Sequence, residues 1–278
     1  MTKIYRPDLT VSNIAWRTEE EVEARETLKE NRVGGVDIAP TKYWPDLTVV
    51  SDSQIKRAVK FWGERGIKIV AMQSLLYGRQ DLQIFGEAKK RREMLEYLYR
   101  VIYLGAKIGV RALVFGSPKN RAVGNDMSYK EAWETSIGFF AKLGKYSFDC
   151  GIAFCIEPNH PKSGCNFIVN HKQAVDLVRE VNTAGLYLNL DTSTLFQSKE
   201  DIQKVIKAAL PYAGHVHISE PSLKQVGLSG KTIHKRVAGA LKDGGWSGWI
   251  GVEMIGADKG SNILQLERSL QFVKGVYS

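Results

Sequence analysis

The sequence predicts a single (β/α)8 barrel domain over residues 1–278. Short apolar runs alternate with longer amphipathic patterns eight times along the chain, and this order favours parallel strands joined by right-handed helical crossovers. A length of 278 residues, with no linker rich in Pro, Gly or Ser, suits one barrel. No Gly-x-Gly-x-x-Gly follows the first strand, which argues against a dinucleotide-binding sheet.

The strands are predicted from the apolar runs, and the helices from the segments between them. The predicted strands are 9–16, 35–39, 68–73, 112–116, 152–157, 186–191, 215–219 and 250–254. The predicted helices lie near 18–30, 52–65, 87–108, 129–149, 170–181, 199–209, 230–243 and 261–274. The third, fifth and eighth helices carry the clearest apolar stripes at helical spacing. Glycines stand where several helices must end before the next strand: Gly66, Gly109, Gly151 and Gly185.

Charge and cysteine content narrow the class of protein. The net charge of +9 and pI near 9.3 fit either an anionic partner or a merely basic surface. Three cysteines, an odd and small number, indicate a reducing cytoplasm and no disulfide framework. No run of about 18 apolar residues is present, so no membrane partner is expected.

Four consecutive strands end in polar residues: Glu157, Asp191, His217 and Glu253. Side chains alternate between the barrel interior and the helix layer along each strand. Large apolar residues occupy the outward positions, such as Val216, so the four polar residues share the inward parity. In barrels of this kind the C-terminal ends of the strands form the reactive rim. The four side chains are therefore expected to converge at one place.

Three carboxylates and one imidazole at close range would repel and be costly to bury, and a divalent cation removes that conflict. Oxygen-rich ligation with one nitrogen favours Mn²⁺, with Mg²⁺, Co²⁺ or Zn²⁺ also compatible. The alternative is four unrelated polar residues at strand ends. Of the other histidines, His215 is predicted to be a hydrogen-bonded core residue, and His171 and His234 to be structural.

Five segments resemble the xylose-isomerase-like barrel superfamily of sugar isomerases and epimerases, and most closely its tagatose-3-epimerase-like group. They are Ile156-Glu157-Pro158-Asn159, Asn166-Phe167-Ile168-Val169-Asn170, Asn189-Leu190-Asp191-Thr192, His215-Val216-His217-Ile218-Ser219-Glu220 and Gly248-Trp249-Ile250-Gly251-Val252-Glu253. The motifs cover the C-terminal half, and the order of elements covers the whole chain.

The resemblance implies that Glu157, Asp191, His217 and Glu253 bind one metal ion. It also implies that Glu157 and Glu253 act as acid and base. One would remove the proton alpha to a sugar carbonyl, and the other would return a proton after an enediolate has formed. The implied partner is a small carbohydrate, and a homodimer or homotetramer is implied by family resemblance alone.

Two positions depart from the pattern of this family. A histidine is usual three residues after the strand-six aspartate, where this chain has Thr194. An arginine is usual six residues after the strand-seven histidine, where this chain has Leu223 followed by Lys224. Both missing groups help to hold substrate oxygens, so ordinary ketose epimerisation is placed in doubt. Lys224 could replace the arginine as a point charge, without its planar fork.

Substrate contacts are expected from the loops that follow the strands. The candidates are Trp16, Trp44, Gln73, His160, Glu220 and Lys224. Aromatic side chains stack on sugar faces, and several loop cations favour a sugar phosphate, a sugar acid or another acidic polyol. Equally, these cations could be scattered and solvated, and Trp44 and Tyr77 could be ordinary packing under loops.

Three other functions compete with a sugar isomerase or epimerase. A lyase or deglycosidase could use the same proton abstraction on an oxidised sugar, which the changes at Thr194 and Leu223 make plausible. An abasic-site endonuclease would need extra histidine ligands, which strands three and four lack, so no nucleic-acid partner is expected. A non-catalytic binding protein would not need both Glu157 and Glu253.

Overall fold

A closed barrel of eight parallel strands forms the centre of the computed structural model, which describes residues 7–257 and 261–277. Each strand pairs with the next along the chain, and the eighth pairs with the first. The strands are β1 (Leu9–Ser12), β2 (Gly35–Ile38), β3 (Lys68–Met72), β4 (Ala112–Phe115), β5 (Ala153–Ile156), β6 (Leu186–Asp191), β7 (Ala213–Ser219) and β8 (Ile250–Glu253). The predicted (β/α)8 barrel is confirmed.

Helices pack around the barrel in the order that parallel crossovers require. Those in the described ranges are α1 (Glu21–Glu30), α2 (Asp52–Gly63), α3 (Ala88–Ile108), α4 (Tyr129–Asp149), α5 (His171–Val181), α6 (Thr192–Ser198), α7 (Ile202–Ala209), α8 (Lys231–Asp243) and α9 (Asn262–Tyr277). None of these helices is long and apolar enough to cross a membrane.

Local sequence signals explain where several helices begin and end. Ser51 and Ser128 each accept a hydrogen bond from the backbone three residues later, and the side chain there bonds back to the serine. Such capping boxes satisfy backbone N–H groups that have no partner inside the helix. Gly109 ends α3 with φ of 88°, a left-handed conformation that glycine adopts without a steric penalty.

Several observed boundaries differ from the sequence prediction, and two of the differences lie at the ends of β1 and β6. The first strand ends at Ser12, not at residue 16, because the Ser12 hydroxyl caps a short 3₁₀ turn over Asn13–Ala15. The predicted helix at 199–209 begins only at Ile202, and α6 precedes it without having been predicted. Asp191 both ends β6 and caps α6 by accepting a hydrogen bond from the Thr194 N–H.

Two separate sets of buried apolar residues form the core of the barrel. Small residues, namely Ala71, Ala112 and Cys155, form a separate buried cluster inside the barrel. The large apolar side chains instead fill the layer between the strands and the helices. Buried polar residues, among them Asp37 on β2 and His215 and His217 on β7, also lie on the strands of the barrel.

Candidate metal centre

Strands β5, β7 and β8 bring three of the four predicted ligands together. The Nδ1 atom of His217 lies 3.5 Å from Glu157 Oε1 and 3.5 Å from Glu253 Oε2. One ligand atom from each of these residues lies within 4.8 Å of the others, a spacing that could hold a metal ion. The inward parity of the three side chains and the closure of the barrel produce this arrangement.

Asp191 lies at the same rim but does not join that close set. The register between β6 and β7 places it opposite His217. Its Oδ1 atom accepts a 2.8 Å hydrogen bond from the Thr194 N–H, and its Oδ2 atom accepts one from the Ser219 hydroxyl. The carboxylate is therefore held by protein donors on the side of α6 and β7.

The electrostatics of the cluster fit a divalent cation. Burial, with the charges of Glu157 and Glu253, raises the pKa of Asp191 to about 7. Burial would lower the pKa of His217, but Glu253, Asp37 and Glu157 together raise it well above its usual value. Burial alone would raise the pKa of Glu157. The hydrogen bond and the charge of His217 outweigh burial, so the pKa of Glu157 is lowered. The buried carboxylates thus favour positive charge at this rim, which a divalent metal ion would supply.

Amide side chains orient the two glutamates. Asn189 and Asn159 donate hydrogen bonds of 2.8 and 3.1 Å to Oε1 and Oε2 of Glu157. Gln73 donates a 2.7 Å hydrogen bond to Glu253 Oε1, which leaves Oε2 facing His217. The predicted site residue Gln73 therefore contacts this cluster directly.

A second layer of buried polar residues lies behind His217. Asp37 on β2 is fully buried, with its Oδ2 atom 2.9 Å from His215 Nε2 and 3.4 Å from His217 Nε2. His215 is a hydrogen-bonded core residue, as predicted. Asp37 was not predicted as a site residue, although a single acidic residue within the apolar run of β2 was an available signal.

The two predicted aromatic contacts are buried, so neither forms an open stacking surface. Trp16 is 2% exposed, and its indole N–H donates to Glu21. Trp44 is 5% exposed and packs against Tyr43. Both residues thus pack under the loops after β1 and β2, which for Trp44 was the alternative to a substrate contact.

The other predicted substrate contacts, Lys224, His160 and Glu220, differ in how far they are exposed to solvent. Lys224 is exposed, and His160 is half-buried with its Nδ1 atom accepting from the Lys162 N–H. Glu220 is 1% exposed, and its carboxylate accepts hydrogen bonds from Ser229, Gly227 and His234. The structure gives Glu220 a role in holding its own loop, in place of the predicted substrate contact.

Thr194 and Leu223, the two residues that depart from the family pattern, each make hydrogen bonds within the protein. The Thr194 hydroxyl donates a 2.9 Å hydrogen bond to the Pro158 carbonyl, so it is already used within the protein. Leu223 has a φ of 51°, and its backbone bonds to Glu220 and Ile255. Neither residue offers the donor that the sequence pattern of the family would supply.

Solved structures of sugar epimerases share this fold. A D-psicose 3-epimerase from Clostridium cellulolyticum H10, solved with D-tagatose, matches with a TM-score of 0.78 and 19% identity, over 98% of this chain and 99% of that one. An Escherichia coli 3-keto-D-glucoside 4-epimerase matches with a TM-score of 0.79 and 16% identity, over 97% and 100%. An L-ribulose 3-epimerase matches with a TM-score of 0.80 and 15% identity, over 98% and 95%. Identities this low establish the fold alone.

Sequence comparison gives a relative and a family. A D-psicose 3-epimerase of Ruminiclostridium cellulolyticum is 30% identical over 138 residues, which are 48% of this chain and 46% of that protein. The chain thus matches about half the length of this relative. The model of the xylose isomerase-like TIM barrel family matches residues 26–276, which is most of the sequence. The chain therefore belongs to the xylose isomerase-like TIM barrel family.

Proposed function

We propose that this protein is a metal-dependent sugar epimerase or isomerase in which Glu157 and Glu253 act as base and acid. The observation that carries the proposal is the approach of two glutamates to the same atom, His217 Nδ1, at 3.5 Å each. Two carboxylates at one centre supply the proton acceptor and the proton donor that such a reaction needs. The epimerase activity of the relatives named above supports this reading.

The chain's own residues would perform the proton transfers. One glutamate removes the proton alpha to the sugar carbonyl, and the other delivers a proton to the opposite face or to the neighbouring carbon. Asn189, Asn159 and Gln73 fix the carboxylates through hydrogen bonds, which reduces the reorganisation needed at each transfer.

A divalent cation would be held by Glu157, His217 and Glu253, with Asp191 as the fourth ligand. We propose Mn²⁺, because three carboxylates and one imidazole form a hard, oxygen-rich donor set that Mg²⁺ and Co²⁺ also accept. The bound cation would supply electrostatic stabilisation of the negative charge that develops on the sugar oxygens.

The proposed substrate is a small carbohydrate, and exposed lysines on the loops after the strands would favour an anionic one. Lys119, Lys162 and Lys224 are exposed on loops that follow β4, β5 and β7. Arg79 is instead paired with Asp81, and its charge is balanced there. Three free-standing lysines remain as candidates for a phosphate or carboxylate group.

The compartment is proposed to be the reducing cytoplasm. Cys150, Cys155 and Cys165 are free thiols, which suits a compartment where disulfides do not persist.

An exchange experiment tests the proposed reaction. The protein, loaded with Mn²⁺, is incubated in deuterated water with D-psicose, D-fructose, D-tagatose and L-ribulose, with and without a phosphate group. NMR follows loss of the alpha-proton signal, and chromatography follows the appearance of the epimer. We expect exchange with at least one sugar, and Glu157→Gln and Glu253→Gln should each slow it by about 100- to 10,000-fold.

The matched control is Glu96→Gln, since Glu96 is an exposed glutamate on α3. It should retain the exchange rate of the unmodified protein. Exchange that continues at full rate in both Glu157→Gln and Glu253→Gln would show that the proposed acid and base are wrong.

A lyase or deglycosidase acting on an oxidised sugar is the second candidate. It is favoured by one specific observation: Thr194 and Leu223 replace the polar residues usual for ketose epimerisation, and the Thr194 hydroxyl is already bonded to Pro158. A p-nitrophenyl keto-glycoside distinguishes the two. Release of p-nitrophenol, without interconversion of simple ketoses, would establish the second function.

A further inference from the structure

Asp37 is a fully buried carboxylate with no place in the proton transfers proposed above. It projects from β2 into the barrel, below the cluster of Glu157, His217 and Glu253. Its Oδ1 atom accepts a 2.9 Å hydrogen bond from the Thr10 hydroxyl, and its Oδ2 atom lies 2.9 Å from His215 Nε2. A carboxylate held from two sides in this way has a fixed orientation.

The two ring nitrogens of His217 face different carboxylates. Nδ1 faces Glu157 and Glu253, while Nε2 faces Asp37 Oδ2 at 3.4 Å. Nε2 is buried, and the 3.4 Å contact is too long to count as a formed hydrogen bond. A neutral imidazole carries one proton, so Nδ1 can bind a cation only when that proton is on Nε2.

Gly251 on β8 keeps the space that this pair occupies. A Cβ at residue 251 would lie 2.7 Å from Asp37 Oδ2 and 2.8 Å from His217 Cδ2. The register places Gly251 directly opposite His217. A larger residue would therefore push the carboxylate and the imidazole apart.

We infer that Asp37 is a positioning residue for the metal centre, an inference that rests on the proposed function. The charge of Asp37, whose Oδ2 atom lies 3.4 Å from His217 Nε2, favours the tautomer that has its proton on Nε2 and its Nδ1 lone pair toward the cation. The negative charge of Asp37 also makes the imidazole a stronger ligand. Removal of such a partner typically weakens metal affinity by about 10- to 100-fold.

The test is Asp37→Asn, which keeps the size of the side chain and removes its charge. The matched control is Thr10→Val, which removes a hydrogen bond to Asp37 but leaves its charge beside His217. Free Mn²⁺ is measured by electron paramagnetic resonance during titration, and the melting temperature of the metal-free protein is measured in parallel. We expect a 10- to 100-fold loss of Mn²⁺ affinity in Asp37→Asn, and a change below about threefold in Thr10→Val, even where both lower the melting temperature.

Equal Mn²⁺ affinity in Asp37→Asn and the unmodified protein would overturn this inference alone. Failure of the unmodified protein to bind Mn²⁺ would overturn the proposed function with it. Should Asp37→Asn not fold, NMR of the unmodified protein with ¹⁵N-labelled histidine and bound Zn²⁺ decides the matter. The expected spectrum shows a proton on His217 Nε2 and none on Nδ1, and the reverse pattern would refute the positioning role.

Discussion

At the scale of single residues, the candidate site needs glycine at a position where a Cβ would collide with one of its side chains. A Cβ at Gly116, just after β4, would lie 2.6 Å from Glu157 Oε2. Gly116→Ala should displace this carboxylate and lower activity by about 100-fold, since small misplacements have effects of that size. Gly138→Ala is the control, because a Cβ at that position of α4 meets nothing within 4 Å. Steady-state kinetics and melting curves of both variants check the prediction, and full activity in Gly116→Ala would contradict it.

The predictability of the site also differs from residue to residue. Glu157, His217 and Glu253 could be predicted to converge, because each follows the same inward parity at the end of its own strand. Asp37 could not be placed beside His217, because that contact crosses the barrel and depends on the register of all the strands between them. Asp191 also caps α6, and the alternation of side chains along a strand does not predict a helix cap.

At the scale of elements, the loop between β7 and α8 is held by one buried carboxylate. Glu220 accepts hydrogen bonds from Gly227 N and Ser229 N at 2.9 and 3.0 Å, from the Ser229 hydroxyl, and from His234 Nε2 at 3.0 Å. Glu220→Gln replaces one acceptor by a donor, so unfolding free energy should fall by about 1–3 kcal/mol at pH 7. Urea denaturation measures this change, with the exposed Glu96→Gln as the control near zero.

The pH dependence of that change follows from the pKa of Glu220. Burial alone would raise this pKa, but the hydrogen bonds from His234 and Ser229 outweigh it and the pKa is lowered. The charged carboxylate therefore stabilises the fold fully above the unfolded pKa of about 4.3, and this stabilisation is lost as the pH falls below that value. The difference between the unmodified protein and Glu220→Gln should stay constant from pH 7 to 5 and shrink below pH 4. A difference that grows in acid would contradict the role of the ionised form.

Element boundaries show why the order of elements is predictable while their ends are less so. The fourth helix was predicted at 129–149 and is observed as Tyr129–Asp149, because the capping box at Ser128 and Glu131 marks its start in the sequence. The helix after β6 is split in two at Lys199, which has a φ of 55°. A left-handed lysine is not encoded by a local pattern, since glycine and asparagine are the usual residues there.

At the scale of the whole molecule, the candidate metal site joins strands that are distant in sequence, so it exists only in the folded barrel. An ion that binds the folded chain alone stabilises it by about 2.7 kcal/mol at a concentration 100 times its Kd. For a chain of 278 residues we expect Mn²⁺ to raise the melting temperature by roughly 5 °C over the EDTA-treated protein. Calorimetry with EDTA, and then with added Mn²⁺, measures the shift in melting temperature.

Glu253→Gln should lose most of this shift while Glu96→Gln keeps it, because only the first variant removes a charge beside His217. An equal rise in the two variants would mean that the ion binds elsewhere, and the rim formed by β5, β7 and β8 would not be the metal centre.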